Sequence, residues 1–238
     1  MPYRADLHIH TVLSPCGDIE MTPRHIIAKA KERGLNIIGI TDHNNTRNSM
    51  EVRKVGNREG IYVLCGAEVT TKEEVHCLAF FETTERLMDF QQFLDANLPP
   101  IKNDEEKFGY QLIINEDEEI LGSEEYLLVN AIKKSINEVA DEVSRLEGIF
   151  IPAHIDRMRN SIFSQLGFLP PDLKVDALEL SKHTGKEVFL KKNPSLLHYF
   201  FIQSSDAHYP EDIGCVYTNL ELSDLNFQSI KKAMKPYC

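Results

Sequence analysis

Apolar residues along this chain gather into short runs that end in histidine, aspartate or glutamate. The runs read ADLHIHT from Ala5, LNIIGITDH from Leu35, IYVLCGAEVTT from Ile61, EVHCLAFF from Glu74, GIFIPAHID from Gly148, VDALELSKH from Val175 and YFFIQSSDAH from Tyr199. Continuous apolar runs of this length suit strands buried on both faces, as in a parallel sheet covered by helices. Helical periodicity lies between several of them. In MTPRHIIAKAKERGL, Thr22 can cap, Pro23 suits the first helical position, Ile26, Ile27 and Ala30 form an apolar face, and Gly34 ends the helix. Farther on, Ile132, Ile136, Val139, Val143 and Leu146 recur at helical spacing, and Gly148 closes that pattern. Such alternation predicts an α/β barrel or an open wound sheet, with chemistry at the C-terminal ends of the strands. From about 82 to 125 the rhythm breaks. PPIKNDEEKFGY and NEDEEILGSEEY are charged and turn-rich, so this region reads as an insertion or lid on a single domain spanning 1–238.

Composition narrows the partners. With 42% hydrophobic and 26% charged residues the chain is an ordinary globule, with no stretch fit to cross a bilayer and no apolar leader. A cytoplasmic protein without a membrane partner is expected. The formal net charge of −11 repels phosphate backbones, which makes nucleic acid an unlikely partner and leaves a small phosphorylated substrate. Cys16, Cys65, Cys77, Cys215 and Cys238 are an odd number with no C-x-x-C pair, against a disulfide framework or a zinc finger. Neither a Walker A loop nor G-x-G-x-x-G occurs.

DLHIHT places His8 and His10 on one face of a strand, where each imidazole needs a partner if buried. A lone histidine at a strand end is most often structural. Here His8, His10, Asp42, His43, Glu68, His154, Asp206 and His208 all stand at run ends, and His76 stands inside EVHCLAFF. Brought to one barrel mouth, these groups would repel or go unsatisfied without cations. Imidazole mixed with carboxylate, with no required thiolate, suits zinc, manganese or iron. A carboxylate such as Glu68 can bridge two ions about 3.5–4 Å apart, the spacing that clamps a phosphoryl oxygen.

DLHIHT, ITDHN, GAE, PAHID and SSDAH, in this order, resemble the motifs of the PHP (polymerase and histidinol phosphatase) domain family. The resemblance implies a distorted (β/α)7 TIM-like barrel with a trinuclear metal site, and hence two to three divalent ions. It assigns His8, His10, Glu68 and Asp206 to one ion, Glu68 with His76 and His154 to a second, and His43 with His208 to a third. The third set also needs an acidic or histidine residue shortly after the first motif, where this chain carries Pro15 and Cys16. Asp18 is the expected ligand there, and Cys16 its substitute.

Around the site, Arg157 and Arg159 can hold phosphate oxygens, or can be solvated surface arginines. Lys182 and His183 follow the sixth run. Asp6 and Asp42 suit support of a neighbouring imidazole or turn capping, whereas His25 and His198 read as structural. The function expected is hydrolysis of a small phosphate monoester, of the histidinol phosphate, nucleotide or sugar phosphate class, by a metal-bound hydroxide. His208 or His183 would protonate the leaving alcohol. A nuclease or nucleotide phosphodiesterase using the same ions is the alternative, and a non-catalytic metal-stabilised domain that binds a partner is a third reading.

Overall fold

The computed structural model of the protein describes residues 2–234; Cys238 lies outside them. In chain order the elements are β1 (Tyr3–Ile9), α1 (Pro23–Glu32), β2 (Ile37–Ile40), α2 (Arg47–Glu59), β3 (Tyr62–Thr70), β4 (His76–Phe81), α3 (Thr84–Asn97), α4 (Glu105–Phe108), β5 (Leu112–Ile114), β6 (Ile120–Ser123), α5 (Ile136–Arg145), β7 (Ile149–Pro152), α6 (Ile162–Leu166), β8 (Leu178–Leu180), α7 (Lys186–Lys192), β9 (Phe201–Gln203), β10 (Thr218–Leu220) and α8 (Phe227–Ala233). Every apolar run quoted above became a strand. No described helix is long and apolar enough to cross a membrane.

The main sheet has the order β10-β1-β2-β3-β4-β7, and β8 pairs with β9 in a separate parallel ribbon. Single backbone contacts link the two. The Ile155 N–H donates to the Glu179 carbonyl at 2.9 Å, and Ile9 bridges Ala207. The result is an α/β fold with a curled half-barrel sheet. β4 runs antiparallel to both β3 and β7. The reason is the connection: 71–75 is too short to cross back over the sheet, so it can only turn a hairpin. That hairpin sets Thr70 opposite His76. A residue at the start of β4 therefore shares the end of the sheet at which β3 finishes.

The helices follow the apolar pattern. Ile26, Ile27 and Ala30 of α1 are buried, and Gly34 takes the left-handed φ of +68°. α5 opens on a reciprocal capping box between Ser135 and Glu138 and buries Ile136, Val139, Ala140 and Val143. Its end differs from expectation. Glu147 takes the left-handed turn, at φ +55°, while Gly148 is needed for close approach, since a Cβ there would lie 2.7 Å from the Phe80 carbonyl oxygen. Part of the charged stretch from 82 to 125 is regular. α3 buries Leu87, Phe90 and Leu94 and belongs to the helical layer, so only α4 and the β5–β6 hairpin stand outside the regular pattern.

Gly66 gives a direct check of the β3–β4 pairing. A Cβ at that position would sit 1.9 Å from the Ala79 carbonyl oxygen and 2.8 Å from the Phe80 ring. Gly66→Ala is expected to destabilise the fold by about 3 kcal/mol, the upper end of the usual overpacking cost, because the obstacle is backbone. Equilibrium urea unfolding measures this; an unchanged midpoint would contradict the hairpin register.

Candidate metal centre

The end of β1 delivers the first two side chains: His8 and His10 are both fully buried, flanking Ile9, which packs in the larger core cluster while Leu7 packs in the smaller one, and the strand register shifts between Asp6 and Ile9. His43 follows β2 and bridges through its backbone to Glu68 of β3. His76 opens β4, His154 follows β7, and Asp206 and His208 follow β9. His154 and Asp206 hold positive φ angles of +31° and +51°. Residues other than glycine keep such a conformation only where surrounding contacts enforce it. For Asp206 the enforcing group is Asp6, whose carboxylate accepts the Ser205 N–H at 2.9 Å and the Gly214 N–H at 2.8 Å.

Glu68 is the hub. Its Oε1 lies 2.9 Å from His76 Nδ1, 3.1 Å from His154 Nε2 and 3.3 Å from His8 Nε2. Its Oε2 lies 3.1 Å from His43 Nδ1 and 3.5 Å from His10 Nε2. Asp206 Oδ1 stands 3.4 Å from both His8 and His10, and the His10 and His208 rings stack at 4.2 Å. Each of three sets (His8, His10, Glu68; His43, Glu68, His76; His10, His43, His208) offers one ligand atom per residue within 4.8 Å of the others. Buried His43 Nδ1 and His154 Nδ1 make no aligned hydrogen bond. Nitrogen and oxygen donors this dense, with orphaned ring nitrogens among them, fit divalent cations.

The electrostatics agree. Burial alone would raise Glu68 and Asp206, yet the encircling imidazoles hold both carboxyls well below their usual range. Burial opposes charge on His8, but Glu179, Glu68 and Asp206 raise it well above an ordinary histidine. His10 is driven well down by burial and by neighbouring His208. Cations would replace the protons that these carboxylates now draw onto imidazole.

The structure thus gathers His8, His10, His43, Glu68, His76, His154, Asp206 and His208. It does not gather Asp18. That carboxylate accepts the Glu20 N–H at 2.9 Å, and no contact ties it to His43 or His208; a local turn competes successfully for a short acidic side chain. Cys16 is exposed; burial raises its thiol, but His208 and His43 nearby bring it down from 9.0 to about 6. Arg157 pairs with Asp206 Oδ2 at 2.6 Å. Arg159 is exposed on the rim, where it, Arg157, Met158 and Asn160 line a cavity of about 430 Å³ beside His76 and His154. His183 is exposed and no contact joins its ring to the cluster. Lys182 lies 3.4 Å from Asp212.

Supporting residues complete the picture. Asp42 accepts from Thr11 N–H and Oγ1 and from Ser14 Oγ at 2.6–2.7 Å, and Ser14 Oγ lies 3.0 Å from His10 Nδ1. Glu179 was missed from sequence. It is buried on β8, 3.0 Å from His8 Nδ1, and accepts the His154 N–H at 3.0 Å. A glutamate between leucines in an apolar run was the available signal. Asn44 donates to the Leu128 and Asn130 carbonyls and Asn48 to the Leu112 carbonyl.

Residues 6–159 match the family described as PHP domain. The chain is 38% identical over 78 residues to an uncharacterized protein of Methanocaldococcus jannaschii, covering 29% of this chain and 46% of that one. It is 24% identical over 264 aligned positions to the uncharacterized protein YqxK of Bacillus subtilis, covering 97% and 61%. It spans less than two thirds of the length of both. Among solved structures, the lesion-specific endonuclease PfuEndoQ of Pyrococcus furiosus matches with a TM-score of 0.74 at 23% identity, over 99% of this chain and 56% of that chain. A Bifidobacterium adolescentis protein described as a metal-dependent phosphoesterase matches with a TM-score of 0.57 at 21% identity, over 96% and 94%. At these identities the structural matches establish the fold.

Two outcomes are expected. Glu179→Gln weakens zinc binding by about 10–100-fold, as loss of an outer hydrogen-bond partner usually does; titration calorimetry showing unchanged affinity would contradict its role. Burial lifts the Asp6 carboxyl from 3.8 to about 6 despite its hydrogen bonds from Ser205 and Gly214. Since the folded value exceeds the unfolded one, this group favours folding below pH 4 and loses on the order of 3 kcal/mol as pH rises through 6. Urea midpoints should show the stability of the wild type falling relative to Asp6→Asn between pH 4 and 7. A constant gap would contradict it.

Proposed function

The chain belongs to the PHP domain family, and from that premise we propose that it is a metal-dependent hydrolase of phosphate esters. The observation that carries the reading is Glu68, a buried carboxylate with five imidazoles inside 3.5 Å. His8, His10, Glu68 and Asp206 would hold one ion, Glu68, His76 and His154 a second, and His43 with His208 part of a third. Bound zinc, manganese or iron supplies Lewis acidity, making water a nucleophile near neutral pH and offsetting charge on phosphoryl oxygens.

The chain's own residues position the ester. Arg157 stands at the cavity mouth with one guanidinium nitrogen on Asp206; its remaining donors match two non-bridging phosphate oxygens. Arg159 brings a second cation to the same cavity. Glu179 and Ser14 orient the His8 and His10 rings so that Nε2 of each faces inward. His208 is assigned to ligation. His183 is left out of proton transfer because it touches nothing in the cluster.

The cavity suits a small monoester. A nuclease is the second reading, favoured by the fold shared with PfuEndoQ; a 27-mer duplex with an abasic lesion at the active site defines the substrate of endonuclease Q in its complex. The net charge of −11 is an average over the surface and says little about the arginine-lined mouth, so it weighs less against a strand than it did on composition alone. The test is hydrolysis of an aryl phosphate monoester, a bis-aryl diester and an abasic duplex by metal-reconstituted protein. Monoester release is expected. Its rate should fall at least ~100-fold in His8→Ala and about 10–100-fold in Arg157→Ala. Preferential cleavage of the diester or duplex would favour the nuclease reading, and no turnover of any ester would overturn the proposal.

A further inference from the structure

The loop that follows β7 is pinned at both ends and bare in the middle. Arg157 N–H donates to the His154 carbonyl at 2.9 Å, and His76 N–H donates to the Asn160 carbonyl at 2.9 Å. Ser161 Oγ donates to the Arg157 carbonyl at 2.7 Å, and Asn160 Nδ2 donates to the Glu74 carbonyl at 3.1 Å. His154 and Asn160 hold left-handed φ angles of +31° and +56°, conformations that only surrounding contacts enforce. Arg157 turns its guanidinium onto Asp206. Met158 does the opposite and is 91% exposed, and Arg159 beside it is exposed as well. Both line the cavity of about 430 Å³ that opens on His76 and His154. An ester with its phosphoryl group at the metal centre has this cavity for its alcohol part.

The lining offers flat and polarizable surface more than hydrogen-bond acceptors. A guanidinium stacks on aromatic faces, and a thioether makes favourable contacts with aromatic rings. No carboxylate lines the cavity, and Asn160 has already committed its Nδ2 to Glu74. A polyol entering here would exchange the hydration of its hydroxyls for few acceptors. We propose that Met158 and Arg159 form a stacking subsite, which selects esters whose alcohol part carries a flat aromatic ring over saturated or polyhydroxylated ones. This rests on the phosphate-ester reading above and names the class of ester. Arg157 keeps the phosphate end, and the ring lies against the outer guanidinium face and the thioether.

The test measures binding by titration calorimetry on the full chain loaded with zinc. The probes are benzylphosphonate, which is not hydrolysed, its saturated counterpart cyclohexylmethylphosphonate, and inorganic phosphate as the anchor alone. The saturated ring is the more apolar of the two, so a preference for benzyl reports stacking. Benzylphosphonate is expected to bind at least about threefold tighter than the saturated probe. Met158→Ala should erase most of that preference, and Arg159→Lys, which keeps the charge without the flat fork, should reduce it. Inorganic phosphate should bind Met158→Ala as it binds the wild type, and the exposure of Met158 means that the fold does not depend on it. Equal affinity for the two phosphonates in the wild type, or a preference that survives both substitutions, would overturn the subsite and leave the phosphate-ester reading standing. Binding of neither phosphonate nor inorganic phosphate would overturn that reading and the subsite with it.

Discussion

A carboxylate enclosed by imidazoles cannot rest in a protein interior without positive charge to hold it. Glu68 is 1% exposed, and five ring nitrogens surround it. Without ions, protons must be shared among rings that also repel one another, and burial and His208 hold His10 well below the ordinary histidine value. Divalent cations meet the same requirement without that conflict, because they attract the carboxylates and the nitrogen lone pairs together. The fold is arranged around this requirement. Five strands of the main sheet, β1, β2, β3, β4 and β7, and the chain after β9 deliver donors to one place.

Donor positions are fixed before any ion arrives. Asp42 reaches His10 through Ser14, Glu179 holds His8 by its ring and His154 by its backbone, and Asp6 clamps the turn that carries Asp206. His154 and Asp206 keep left-handed backbone angles under these constraints. Such preorganisation means that binding an ion costs little rearrangement of the scaffold. The β5–β6 hairpin is held from outside: Asn48 of α2 donates to the Leu112 carbonyl and accepts the Ile114 N–H, and Asn44, in the loop after β2, donates to the Leu128 and Asn130 carbonyls beyond the hairpin.

Much of this was legible in the amino-acid pattern. Buried strands announce themselves as apolar runs, and a sheet that presents polar side chains at one edge carries them at the ends of such runs, as His8, His10, His43, Glu68, His154, Asp206 and His208 stand. His76 stands there for a different reason, since β4 is reversed and its first residue lies where other strands have their last. Strand direction depends on the length of a connection and not on the run itself, so the half-barrel was hidden behind alternation that also suits a parallel barrel. α3 was hidden by charged neighbours, although Leu87, Phe90 and Leu94 carry a helical spacing. Glu179 looked like an interruption of a strand. Asp18 was preferred to Cys16 on chemical type, and its carboxylate instead accepts the N–H of Glu20 in its own turn.

The account's central claim is that the cluster is built for cations. It is tested most directly by thermal unfolding of chelator-stripped protein as zinc or manganese is titrated in, with the bound ions counted at saturation. Ligands that bind only the folded state raise its stability with their concentration. The account predicts a midpoint that climbs with metal and levels off when two to three ions are bound per chain. A midpoint indifferent to metal, with no ion retained after desalting, would contradict it.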